Sequence, residues 1–146
     1  MKTFAPVFAV LLFLFSCVTV DTETNGNLSA EELFFHAQVQ QGQIKTKKDY
    51  EAVIALFEEV IARFPEYKAI GIECRYEIAY LLYRQEKYRE AEDAFFGILR
   101  TYETESSEVL PEWPQILSTQ MLSRIEEKTA PKEKKLRPKE NGQSGL

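Results

Sequence analysis

The body of this chain aligns with itself, and that constrains its fold more than anything else. Shifted by 38 residues, the segment from Tyr50 to Phe64 falls on the segment from Tyr88 to Tyr102. Tyr50 meets Tyr88, Val53 meets Ala91, Phe57 meets Phe95, Val60 meets Ile98, Ile61 meets Leu99 and Phe64 meets Tyr102. All of these positions are apolar or aromatic. Within each copy they fall at i, i+3, i+7, i+10, i+11 and i+14, which is one face of an α-helix, and no strand-like alternation appears. A helix with a single apolar stripe must bury it against a neighbour, and a helical unit repeated along the chain does so by stacking on its own copies.

A second helix precedes each of these. Tyr76 to Arg84 carries Ile78, Ala79 and Leu82 at helical spacing. The same shift of 38 places Arg75 on Trp113, Ile78 on Ile116 and Ala79 on Leu117, so Pro114 to Lys128 reads as the first helix of a third copy, with no second helix after it. The earliest helix opens in LSAEELFFHA. Ser29 is a natural N-cap, Glu32 completes a capping box, and Leu28 and Leu33 occupy the positions of a hydrophobic staple. This helix matches the second copy only at an offset of 42, with Leu33 on Arg75 and Ala37 on Ala79, because the hairpin QGQIKTKKD holds four extra residues, GQIKTKKD standing where the later copy has RQEK. The expectation is an all-α fold over residues 29–128: stacked antiparallel hairpins, about two repeats, and a C-terminal capping helix.

The first seventeen residues read as an address. MKTFAPVFAVLLFLFSC places Lys2 before an almost unbroken apolar run from Phe4 to Phe15, the layout of a signal peptide. That run is shorter than the ~20 apolar residues of a membrane-spanning helix. Its end, Leu14-Phe15-Ser16-Cys17, resembles a bacterial lipobox, with Phe15 standing where a small residue is usual. The resemblance implies removal of residues 1–16, lipidation (palmitate) of the thiol and new amino terminus of Cys17, and a periplasm-facing body. The non-acidic Val18 that follows favours the outer membrane. The alternative is an uncleaved N-terminal anchor with an incidental cysteine. Residues 17–28 contain DTETNGN and read as a flexible tether.

Charge divides the chain. From Cys17 to Lys128 there are 12 basic and 21 acidic residues, whereas Thr129 to the end has 5 basic and 2 acidic. An acidic body argues against nucleic acid, whose phosphates need clustered Lys and Arg. The tail, residues 129–146, is interrupted by Pro131 and Pro138 and reads as disordered, with contact to an anionic surface as the lesser reading. Nothing points to an enzyme. The only histidine is His36, there is no GxSxG, and Cys17 and Cys74 have no metal-ligand spacing, so no cofactor is expected. Cys74 is expected to be a buried, inert thiol or an occasional intermolecular one. The pairs Glu58-Glu59, Glu92-Asp93 and Glu126-Glu127 point about 100° apart on their helices and read as solvated faces, not acid/base pairs.

The repeats resemble tetratricopeptide (TPR) repeats. Ile78-Ala79, Leu82, Lys87-Tyr88, Ala91, Phe95 and Ile98 carry the resemblance in the better copy, and Pro65 ends the corresponding helix of the first. The long spacer after Pro65 is similar to that of periplasmic TPR lipoproteins that serve outer-membrane barrel assembly and cell division. The resemblance implies that the first helix of each unit lines a concave side that binds a protein or peptide. Tyr76, Tyr80 and Tyr83, at i, i+4 and i+7, then form a stripe beside the core face of Ile78, Ala79 and Leu82. Two readings remain open: rings packed on neighbouring helices, or anchors for a partner. The counterparts in the first copy are Phe34, Gln38 and Gln41, with Glu73 near the rim. The expected role is a membrane-tethered scaffold, an accessory subunit of an envelope complex. The rival is a self-associating structural protein that buries Trp113 and the tyrosines against another copy.

Overall fold

The computed structural model describes residues 27–105 and 110–130; the signal segment, Cys17 and most of the basic tail lie outside the described residues. Five helices follow in order: α1 (Ala30–Gly42), α2 (Lys47–Arg63), α3 (Lys68–Arg84), α4 (Tyr88–Thr104) and α5 (Trp113–Thr129). Short connections between helices of similar length fold the chain back at each turn, as antiparallel hairpins require. Each helix packs on the next, and α3 also touches α1 and α5, so the first helices of successive units stand side by side. Among the described residues there is no strand, and no helix is long and apolar enough to cross a membrane.

The starts and stops have local causes. At α1, the Ser29 hydroxyl accepts from the Glu32 amide at 3.2 Å and the Glu32 carboxylate accepts from the Ser29 amide at 2.9 Å, closing the capping box read from the sequence. At α2 the Asp49 carboxylate accepts from the Lys45 and Thr46 amides at 2.9 and 2.7 Å. Those two bonds hold its pKa below the usual carboxylate range. The α3–α4 turn closes by a Schellman arrangement: Lys87 N–H donates to the Leu82 carbonyl and Glu86 N–H to the Tyr83 carbonyl. The residue between cap and exit, Glu86, carries a positive φ of 62°, a conformation that favours glycine.

Two apolar clusters form the core. Leu33, Ala37, Val53, Phe57, Val60, Cys74 and Leu81 join α1, α2 and one side of α3. Ile72, Tyr76, Ala79, Ala91, Phe95, Ile98, Leu110, Met121 and Ile125 join the other side of α3 to α4 and α5. Helix α3 is therefore covered on two sides. The repeat alignment holds for the second helices: Val53, Phe57 and Val60 are buried in α2, as are Ala91, Phe95 and Ile98 in α4, still 38 residues apart.

The alignment does not hold for α5. Ile116, paired with Ile78 by the 38-residue shift, is 52% exposed. Leu117, paired with the fully buried Ala79, is only half-buried. The buried stripe is instead Pro114, Ser118, Met121 and Ile125. The physical reason is position. As the last described helix, α5 has neighbours on one side only, so it buries one stripe where α3 buries two. It caps the array and does not repeat α3.

Candidate functional site

The tyrosines expected to line a surface divide between core and rim. Tyr76 is 8% exposed and belongs to the second core cluster, which corrects the expectation that it lies beside the core. Its ring meets Phe95 at 5.8 Å and Trp113 edge-on at 5.1 Å. The reason is that α4 and α5 both close on the side of α3 that carries Ile72, Tyr76 and Ala79. The expected core face is corrected with it: Ala79 is buried, but Ile78 and Leu82 are only half-buried. Tyr80 and Tyr83 are half-buried and continue the row, Tyr80 stacked on Tyr76 at 6.4 Å and Tyr83 on Tyr80 at 6.5 Å. Tyr83 then tilts against Tyr88 at 5.6 Å. The rings form one continuous series that starts in the core and ends at the surface.

On α1, Phe34 is half-buried and packs on Phe57 at 5.9 Å, so its ring is mainly structural. Gln38 is exposed. Gln41 is half-buried and donates its amide to the Glu77 carboxylate on α3 at 2.8 Å. That bond ties the two first helices together across the face. Glu77 is a residue the sequence reading passed over. Its i+4 relation to Glu73 was a usable signal, but nothing in the sequence shows that Gln41 reaches it.

Electrostatics mark this strip. Burial raises Glu73 above the ordinary carboxylate range, and a hydrogen bond from Trp113 opposes the shift. Burial also raises Glu77, opposed by the Gln41 bond and reinforced by the Glu73 charge. Between them in the sequence sits Cys74, turned inward and fully buried, its thiol pushed up to about 12 by burial and the two carboxylates. A thiol held that high is a poor nucleophile, consistent with an inert packing role. His36 is half-buried, with Nε2 at 3.4 Å from the Gln40 amide and Nδ1 buried without a partner among the described residues.

What the strip offers is hydrogen bonding, aromatic surface and partly desolvated negative charge, laid across two adjacent helices. Gln38, Gln41, Glu73, Glu77 and Tyr80 are its accessible or half-accessible members. Among the described residues no group of His, Cys, Asp and Glu is arranged to hold a metal ion. No protein-family model matches the chain, and neither does any curated protein or solved structure.

Proposed function

We propose that this chain is a membrane-tethered, TPR-type scaffold that holds another protein or peptide on the face shared by α1 and α3. It faces the periplasm from a lipid anchor at Cys17 and serves as an accessory subunit of an envelope complex. One observation supports the reading: α1 and α3 stand side by side, tied by the Gln41–Glu77 bond at 2.8 Å, with the exposed Gln38 and the half-buried Tyr80 beside it. Such a face presents amides, carboxylates and a phenol to an extended or helical segment, where Tyr supplies large contact area with a polar tip. Crosslinking from this face in cells tests it.

A second reading, self-association, is favoured by a different feature. Phe35 and Val39, one turn apart on α1, are 66% and 40% exposed. Trp113, the earlier candidate for such a contact, is half-buried against Tyr76 within the chain. Sedimentation of the full chain with and without Phe35→Glu separates the readings: loss of a dimer on substitution supports self-association, and a monomer in both cases removes it.

A further inference from the structure

The half-open cavity between the end of α2, the start of α3 and the end of α4 is on another side of the molecule from the strip above. Glu73 and Arg75 are two residues apart on α3 and therefore point about 200° apart around its axis. Arg75 lines this cavity, together with Ile61, Phe64, Ile72 and Leu110 as its apolar wall, and its volume is about 190 Å³. A dry apolar cavity of about 150 Å³ is enough to hold a benzene ring. Lys68 and Glu105 at the mouth neutralise each other in an ion pair. Arg75 is exposed, and among the described residues it has no acidic partner, so its guanidinium is the positive group that the described part of the mouth offers to an anion.

Gly71 gives the cavity part of its space. It sits inside α3, where glycine is a poor helix former. A Cβ built on Gly71 meets nothing within 4 Å, so packing does not demand glycine there. The missing side chain leaves room in the cavity wall instead.

The geometry points to a binding site for a small carboxylic acid that carries one aromatic ring or branched alkyl group. The apolar body fills the space beside Phe64 and Ile72, and the carboxylate pairs with the Arg75 guanidinium, whose fork geometry suits a carboxylate. This site is independent of the scaffold reading and survives its failure.

The test uses the full chain in detergent micelles, labelled for residue-resolved NMR, with 3-phenylpropionate as probe and 3-phenylpropionamide as its uncharged analogue. Saturable shifts are expected at the amides of Ile61, Gly71, Ile72 and Leu110, with the acid bound about tenfold more tightly than the amide. Arg75→Gln should erase that preference while leaving the amide's affinity unchanged. Gly71→Ala should raise Tm and weaken both probes, because the new methyl takes cavity volume. Gly97→Ala, a second helical glycine whose added Cβ also meets nothing within 4 Å, should raise Tm and leave binding intact. The proposal is overturned if no saturable shifts cluster around the cavity, if acid and amide bind equally, or if Gly71→Ala leaves affinity unchanged.

Discussion

Truncating Tyr76 should damage the fold far more than truncating its neighbour Tyr80. Tyr76 is 8% exposed and its ring contacts Phe95, Trp113 and Tyr80 from three helices. Removing a buried aromatic of this size costs about 3–5 kcal/mol, because lost burial and the cavity left behind add together. Tyr80 is half-buried and contributes chiefly two stacked ring contacts, worth about 0.5–1.5 kcal/mol each. For a domain of about 100 residues each kcal/mol moves Tm by roughly 4–8 °C. Tyr76→Ala should therefore lower Tm by at least about 12 °C, and by more than Tyr80→Ala does. Thermal denaturation followed by circular dichroism reads both. If Tyr76→Ala melts within about 4 °C of the parent, or no lower than Tyr80→Ala, the ring is not the junction of α3, α4 and α5.

Other outcomes follow from single residues. Glu86 holds a positive φ of 62° at the α3–α4 turn, so Glu86→Gly should stabilise by about 0.5–1 kcal/mol in urea denaturation. Ser118 is fully buried with its hydroxyl unpartnered among the described residues, and Ser118→Ala should raise Tm, since an unmade buried hydrogen bond costs about 1–3 kcal/mol. Glu77 is raised in the folded state, so its ionised form opposes folding above that raised value and the opposition fades as pH falls toward 4.5, its ordinary value. Glu77→Gln keeps an acceptor for Gln41; it should raise Tm at pH 7, and the gain should shrink in melts at progressively lower pH.

Much of this architecture is legible in the sequence because it rests on local signals. The Ser29–Glu32 box, Pro65 after α2 and the stripe Val53, Phe57, Val60 with its copy Ala91, Phe95, Ile98 each declare themselves within one helix. The rest depends on which sides of a helix are covered. Tyr76 reads as a rim residue if α3 has one packed face, and as core once α5 closes a second. Ile116 reads as core if α5 repeats α3, and it is exposed because no described helix packs on the outer side of α5. Of the strip, Gln38 and Tyr80 could be placed from helical spacing alone, whereas the Gln41–Glu77 bond spans 36 residues and has no local signature.

The scaffold reading is tested most directly by photo-crosslinking in living cells. A photoreactive amino acid replaces Gln38 or Tyr80 on the α1–α3 face, and Ala62, exposed on α2, as the control. The reading predicts a discrete, heavier adduct with another protein from Gln38 and Tyr80 and none from Ala62. Equal adducts from all three positions, or none from the α1–α3 face, would contradict it.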